Sequence, residues 1–328
     1  MLGNGSTNSS CPNFTVYRQA FAGEVCKLLF MILLVVAITL GNAVSLLVFF
    51  RIKQFRTSQG YLKVSLAVAD MAVGLVVVPY SVYREANFLT YGTGRESEAS
   101  ERLACSIIGP IFAGCTLVSI STIFLLSVER TIAVLKPLHK EALVTKRRTV
   151  QLIFASWAVS FCLATIPLLS TPKITQQYNS CSRLCNYAFP ADELPGPYWH
   201  VMLVFPVFDF TLLSSTFVIN LVTFAAIHQN NKTWKSLAGE LQVSNRLPCT
   251  DTTAAKTISI LTFAFFAAFS PIAVFVVGSV MGYLWCEFSF YAFWILTSNS
   301  CWNVAIYSIW DPKFRQGLRE LFNKAVLK

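Results

Sequence analysis

Two aspartates interrupt long apolar stretches of this 328-residue chain. Asp70 stands in "SLAVADMAVGL" and Asp209 in "FPVFDFTLL". Because a carboxylate is costly to place among apolar residues, such positions mark ion or ligand sites more often than packing sites. Asp70 is therefore predicted to be functional. Asp209 either pairs across a helix bundle or is a protonated residue with no special role, and the sequence leaves both alternatives open.

Other polar residues lie in apolar segments as Asp70 does: Asn42, Ser119, Asn299, Ser300 and Asn303. If they converge, their oxygens form a cage suited to a hard cation such as Na⁺. The predicted sodium ligands are Asp70, Ser119, Asn299 and Asn303, and we expect no other metal site and no cofactor. The alternative is that Asp70 is only a hydrogen-bond hub for Asn42 and Asn303.

A bare charge pair, Glu129–Arg130, ends an apolar run in "FLLSVERTIAVLKPL", residues 124–138. A buried ion pair is a poor stabiliser but a good two-state switch, since it separates when one helix moves. The simpler alternative is that the pair marks the level of lipid headgroups.

The elements that carry these residues are membrane-spanning helices. The chain is 55% hydrophobic and 13% charged, with a mean hydropathy of +0.57, whereas soluble domains carry roughly 25% charged residues. Apolar runs of about 20 residues predict spanning helices, and these runs are too long for barrel strands. We predict an all-α membrane protein, a bundle of seven spans: 28–50, 61–82, 105–134, 150–169, 198–227, 257–281 and 288–310.

Orientation follows from the basic residues, because lysine and arginine concentrate on the cytoplasmic side. With the N-terminus outside, 19 of the 26 Lys and Arg residues fall inside. The net charge of +10 then reflects contact with the inner leaflet of the bilayer, and no nucleic-acid partner is expected. Three sequons, at Asn4, Asn8 and Asn13, predict a glycosylated tail.

The predicted organisation has three parts. Residues 1–27 form the extracellular glycosylated tail, residues 28–310 the seven-span domain, and residues 311–328 a short amphipathic helix eight with a short cytoplasmic tail.

Five cysteines fall on the predicted outer side: Cys11, Cys105, Cys181, Cys185 and Cys286. The oxidising environment favours a disulfide there. Cys105 opens the third span, and two candidates for its partner lie in the long loop before the fifth. We favour Cys105–Cys185, with Cys181 as the alternative, since connectivity does not follow from sequence.

Enzymatic and transport functions are disfavoured. The chain has no H-E-x-x-H, G-x-S-x-G or phosphate-binding loop, so we do not expect the protein to be an enzyme. A secondary transporter would usually show internal repeats and interrupted helices, and this sequence shows neither.

The ordered motifs resemble those of rhodopsin-like (class A) G-protein-coupled receptors along nearly the whole chain. The matching features are "GN" at 41–42, "LAVAD" ending at Asp70, the 25-residue step from Cys105 to Arg130, "ERT" at 129–131, Trp157, Pro206, "DTTAAKT" at 251–257, "NSCWNVAIY" at 299–307 and "DPKFRQGL" from 311. The resemblance implies a multi-pass plasma-membrane receptor with an extracellular N-terminus. It also implies a heterotrimeric G protein as partner, with arrestin as a further candidate.

The resemblance also assigns switch residues. Arg130 is held at rest by Glu129 and by Asp251 at the foot of helix six, and outward movement of helix six releases it to the G protein. The other switch positions implied by the resemblance are Ile120, Pro206, Phe265, Phe269, Asn303 and Tyr307.

The ligand pocket implied by the resemblance is apolar. Amine receptors anchor a cation with an aspartate on helix three, where this chain has Phe112. The expected lining residues are Tyr80, Phe112, Ala113, Thr116, Met202, Ile272, Phe290 and Phe293. They favour a small lipophilic, non-amine ligand. A peptide on the outer loops and the absence of any ligand are the alternatives.

Several positions depart from the family pattern: Thr131 replaces a tyrosine, Phe269 a tryptophan, Val304 a proline and Ser214 a tyrosine. The alternative function is therefore a non-signalling or constitutively active receptor that modulates partner receptors.

Overall fold

The computed structural model describes residues 14–92, 97–171, 173–188, 197–241, 249–283 and 285–326. Long helices make up most of this part, with one β-hairpin between the fourth and fifth. The long helices are α1 (Phe14–Arg51), α2 (Ser58–Ala72, continued by a π-helical turn Val73–Val77 and by Val78–Tyr91), α3 (Glu98–Leu135), α4 (Lys146–Ser170), α5 (Val204–Leu241), α6 (Cys249–Val280), α7 (Cys286–Trp310) and α8 (Pro312–Val326).

Shorter elements connect the long helices. They are the 3₁₀ turns Lys53–Phe55, Pro137–His139 and Pro197–Leu203, the four-residue helix Lys140–Leu143, and the strands β1 (Thr175–Asn179) and β2 (Leu184–Ala188).

Helix starts follow ordinary capping chemistry. Thr57, Ser97 and Thr145 each precede a helix in an extended conformation, and each side-chain oxygen accepts a hydrogen bond from a backbone N–H three residues on. Such caps satisfy donors that have no partner within the helix. The first helix begins at Phe14, well before the apolar run predicted from residue 28. The sequon residues Asn4, Asn8 and Asn13 lie outside the described residues.

Six of the described helices are long and apolar enough to cross a membrane. The helix α7 is less apolar, since it carries buried polar residues such as Asn299, Ser300 and Asn303. Its 25 residues still reach about 37 Å, more than the roughly 30 Å hydrocarbon core.

The bundle is organised around α3, which packs against α2, α4, α5 and α6, while α7 packs against α1, α6 and α8. Buried Ile120, Ile123 and Leu126 of α3 lie in the large apolar core that the described helices share. The short helix α8 packs on α1 and α7 through Phe314, which is fully buried.

The antiparallel hairpin closes one end of the bundle, here called the hairpin end. Its strands pair from Thr175–Ala188 to Asn179–Leu184. Gly109 of α3 leaves room for the buried side chain of Gln176 on the hairpin, since a Cβ there would lie 2.1 Å from Gln176 Oε1. The opposite end, which carries Glu129 and Arg130, is called the arginine end.

Two disulfides fasten the hairpin. Cys105–Cys185 joins it to α3 with an S–S distance of 2.04 Å, which confirms the favoured pairing. Cys181–Cys286 joins the hairpin turn to the first residue of α7, with an S–S distance of 2.00 Å. The sequence analysis did not find this second disulfide.

Candidate functional site

A cavity of about 410 Å³ lies beside the hairpin, among α3, α5, α6 and α7. Six of the eight predicted pocket residues line it: Phe112, Ala113, Thr116, Met202, Ile272 and Phe293. The lining is mainly apolar, and the second strand of the hairpin forms part of its wall through residues 185–188. The cavity therefore suits a small, largely apolar molecule.

The other two predicted pocket residues, Tyr80 and Phe290, do not line this cavity. Tyr80 meets Tyr178 of the hairpin edge-on, with ring centroids 6.2 Å apart. Phe290 lies 6.0 Å from Trp294, whose indole N–H donates to the carbonyl of Ser182 at 2.9 Å. The hairpin contacts the bundle at both places, so these rings pack against neighbours outside the cavity.

Ion pairs hold the hairpin turn against α1 and α2. The Arg183 guanidinium lies 3.0 Å from Glu85 Oε1 and 3.1 Å from Glu24 Oε2. The Tyr178 hydroxyl donates to the same Glu85 oxygen at 2.9 Å. Burial, and then the Glu85 charge, raise the pKa of Tyr178 well above its ordinary value. The sequence analysis missed Glu85. The available signal was an acidic residue shortly after the end of the predicted second span, residues 61–82.

Asp70 lies at the centre of a polar cluster midway along the bundle. Ser119 Oγ donates to Asp70 Oδ1 at 3.2 Å, and Asn303 Nδ2 donates to Asp70 Oδ2 at 2.8 Å. Asn42 Nδ2 donates to the carbonyls of Ser300 and Ile38, each at 2.9 Å. The structure thus joins α2, α3 and α7 through Asp70, and α1 to α7 through Asn42.

Two amide oxygens on α7 add acceptors near this level. Asn299 Oδ1 and Asn303 Oδ1 are buried, with no hydrogen-bond partner in the described part of the chain. Asn303 also contacts Asp70 through its Nδ2, and unpaired amide oxygens match the preference of a hard cation for oxygen ligands. The four predicted sodium ligands therefore have the right chemistry for that ion.

The remaining predicted switch residues are all buried. Ile120 and Pro206 are buried, and the rings of Phe265 and Phe269 stack with centroids 5.8 Å apart. Tyr307 lies nearer the arginine end, where its ring is 5.9 Å from the ring of Phe314.

At the arginine end, Glu129 forms ion pairs with two basic side chains. Its Oε2 lies 3.7 Å from Arg130 Nε, and its Oε1 lies 3.4 Å from Lys140 Nζ. Arg130 also donates to the side-chain oxygen of Gln59 on α2. Asp251 is in the first turn of α6, and its side chain falls outside the described part of the structure.

Hydroxyl and amide contacts join the helices at this end. The Thr131 and Thr223 hydroxyls are 2.7 Å apart and link α3 to α5. Asn220 Nδ2 donates to Thr262 Oγ1 at 2.8 Å and links α5 to α6. The sequence analysis missed these contacts, although Asn220 interrupts an apolar run as Asp70 does.

A further ion pair, also missed, links α2 to the start of α8. Lys63 Nζ lies 2.7 Å from Asp311 Oδ2 and 4.5 Å from the centre of the Tyr307 ring. Burial alone would raise the pKa of Asp311, but the Lys63 ammonium and two backbone N–H groups outweigh it and lower that pKa below its ordinary value.

The family model "7 transmembrane receptor (rhodopsin family)" matches residues 41–308. The chain belongs to this family. Membership confirms the predicted seven-helix membrane fold and identifies the protein as a receptor and not an enzyme. The predicted helix eight corresponds to α8, which follows α7 directly.

Individual relatives are more distant. The chain is 27% identical over 247 residues to growth hormone secretagogue receptor type 1 of Sus scrofa, covering 71% of this chain and 61% of the relative. It is 30% identical over 189 residues to D(2) dopamine receptor A of Xenopus laevis, covering 57% and 37%. Neuropeptide receptor 22 of Caenorhabditis elegans is 28% identical over 158 residues, covering 48% and 35%.

Proposed function

We propose that this receptor transmits a signal from the cavity at the hairpin end to a heterotrimeric G protein at the arginine end. The observation that carries the proposal is a pair of cavities at opposite ends of one bundle. The second, of about 430 Å³, is lined by Arg130, Glu129, Lys63 and Tyr307. In this proposal the hairpin end and the N-terminus face outward from the plasma membrane, and arrestin is a second candidate partner for the inner cavity.

Outward movement of α6 is the proposed switching step. It would break the Asn220–Thr262 contact between α5 and α6. We further propose that Asp251 holds Arg130 at rest together with Glu129, and that its departure with α6 frees the guanidinium for the G protein. Because Glu129 also faces Lys140, its charge stays partly compensated when Arg130 leaves.

The proposed ligand is small and lipophilic. Its site lacks a helix-three carboxylate, since the buried Phe112 lies there with its ring 6.3 Å from Phe293. The names of the similar receptors include a neuropeptide receptor and an amine receptor. The hairpin wall and the 410 Å³ volume favour a small molecule over a peptide, and Phe112 disfavours an amine gripped from α3.

We also propose that Asp70, Ser119, Asn299 and Asn303 hold a sodium ion that favours the resting state. Ion binding would satisfy the two unpaired amide oxygens on α7. A ligand shifts a conformational equilibrium only if it binds the two states differently. Contacts from α2, α3 and α7 to one ion would be lost when these helices rearrange.

The decisive experiment is ligand-free second-messenger accumulation across the main G-protein classes at matched surface expression. Arg130→Ala should silence the output, since it removes the group that meets the partner. Asp251→Ala should raise it about five- to thirtyfold, as expected for a coupling free energy of about 1–2 kcal/mol. Arg51→Ala, an exposed arginine at the same end, is the matched control and should change nothing.

The alternative function is a partner-modulating receptor without its own G-protein output. It is favoured by Phe269, which stacks on Phe265 where the family usually has a tryptophan. Equal output from wild type, Arg130→Ala and Asp251→Ala in every G-protein class would contradict the coupling proposal and favour this alternative.

A further inference from the structure

Asp209 is a buried acid for which the described residues provide no basic partner and no hydrogen-bond donor to Oδ1. It lies on α5 three residues after Pro206, its exposed fraction is 8%, and it lines the cavity at the hairpin end. Its Oδ1 is buried without a hydrogen-bond partner among the described residues. No lysine, arginine or histidine is among the described residues that line this cavity.

The other buried acids in the described part of the chain all have partners. Asp70 accepts two side-chain hydrogen bonds. Glu85 pairs with Arg183, and Glu129 faces both Arg130 and Lys140. Burying a carboxyl group without a partner costs free energy, so the lone acid differs from the rest of the fold.

Neighbouring hydroxyls in the cavity use their protons elsewhere. Thr116 donates to the carbonyl of Phe112 at 2.7 Å, and Ser279 donates to that of Phe275 at 2.9 Å. The Tyr187 hydroxyl donates to the carbonyl of Ala164 at 2.5 Å. Asn186 Oδ1, on the hairpin wall, is a second buried acceptor without a donor in the described structure. The polar atoms that the cavity offers are therefore mainly acceptors.

We propose that Asp209 anchors the ligand through a protonated nitrogen carried on an apolar body. The proposal rests on the cavity being the ligand site, as in the proposed function, and adds the charge of the ligand. A carboxylate in an apolar cavity binds a cation strongly, because the charge-assisted hydrogen bond forms away from water. The anchor projects from α5, so the absence of an acid at Phe112 of α3 does not exclude a cationic ligand.

The test compares two probes of one shape, 1-naphthylmethylamine and 1-naphthylmethanol. Apparent affinities come from ligand-dependent shifts of the unfolding temperature of the purified full-length receptor. The amine should bind wild type roughly tenfold to hundredfold more tightly than the alcohol, as a hydrogen bond to a charged group predicts. Asp209→Asn should abolish that preference and leave alcohol binding in place, and Asp209→Glu should retain part of it.

Thr216→Val is the matched control. Thr216 is buried on the same helix, its hydroxyl donates to the carbonyl of Leu212, and it does not line the cavity. It should leave the ratio of the two affinities unchanged.

The possible binding results separate the role of Asp209 from the proposed ligand site. Equal binding of amine and alcohol to wild type, or an amine preference that survives in Asp209→Asn, would overturn the role of Asp209 and leave the cavity as a lipophilic site. Failure of both probes to bind wild type at millimolar concentration would overturn the anchor and the proposed ligand site together. The second-messenger assay with Arg130→Ala tests G-protein coupling independently of either result.

Discussion

The two ends of the bundle are held together by different kinds of interaction. The hairpin end has two disulfides, from α3 and α7 to one hairpin, and a guanidinium clamped between two acids. In the described part of the arginine end, the helices meet through hydrogen bonds and ion pairs, such as Thr131–Thr223 and Lys63–Asp311. Covalent bonds allow one arrangement, whereas hydrogen bonds can be exchanged for others.

This difference indicates where the receptor can change shape. Cys286, the first residue of α7, is tied to the hairpin, so movement of that end of α7 must carry the hairpin with it. At the other end, α5 and α6 can part after losing the side-chain hydrogen bond from Asn220 to Thr262. A ligand beside the hairpin would then act on a rigid frame whose far end is free to open.

Removing a disulfide should have the largest effect on stability. The two bonds close loops of 80 and 105 residues, for which chain entropy predicts roughly 4.5 to 5 kcal/mol each. Cys105→Ser and Cys286→Ser should each lower the unfolding temperature and surface expression strongly, and each double variant with its partner cysteine should be no worse than the single. Cys162→Ser, a free exposed cysteine, is the control. If Cys286→Ser were as mild as this control, the hairpin end would not be the rigid one.

Breaking the Lys63–Asp311 pair should have the next largest effect. Asp311→Asn leaves a buried ammonium uncompensated, which costs about 3 kcal/mol of unfolding free energy. Lys63→Met with Asp311→Asn should recover most of this loss. The measurement is chemical unfolding of the purified receptor in detergent.

The same pair gives a pH dependence of known sign. Because the folded-state pKa of Asp311 is lowered, its contribution is complete above the ordinary carboxyl range and disappears as pH falls through the lowered pKa, below about pH 4. The stability difference between wild type and Asp311→Asn should stay constant from about pH 7 to 5 and shrink only below that range. A difference that fades between pH 7 and 5 would contradict the assignment to this carboxylate.

Sodium should have an intermediate effect, at the level between the two ends. Replacing choline by Na⁺ at constant ionic strength should lower ligand-free signalling several-fold, up to about tenfold for 1.4 kcal/mol. Asp70→Asn should abolish the response, and Asn299→Ala should weaken it. A sodium response that persists in Asp70→Asn would eliminate the site.

The smallest effect should come from one hydroxyl contact at the arginine end. Thr131→Val removes the hydrogen bond to Thr223, worth about 1 kcal/mol, and should change basal signalling about fivefold with little loss of stability. Thr211→Val, exposed on α5, is the control. A fall in unfolding temperature as large as that of Cys105→Ser would show that the arginine end is as rigid as the hairpin end.

Sequence patterns predicted what depends on local composition and motif spacing. Apolar length and motif order predicted the helices, and an intramembrane carboxylate predicted the cluster around Asp70. Patterns failed where distant segments meet. Tyr80 and Phe290 pack outside the cavity because of how the hairpin docks, and Cys286 pairs with Cys181 because of where α7 begins. Neither arrangement leaves a periodic signal in the sequence.

The π-helical turn of α2 determines which way the side chains of the following segment, Val78–Tyr91, face. The N–H of Val78 bonds to the carbonyl of Val73, five residues back, so the turn absorbs one residue more than an α-helical turn. One residue corresponds to about 100° of rotation, and Gly74 there lets α1 come close, since a Cβ would lie 2.7 Å from Ile38. Deleting one valine from this turn would restore a continuous α-helix and rotate the following segment. Glu85 would turn by about 100° away from Arg183, while Asp70, which precedes the turn, would keep its orientation.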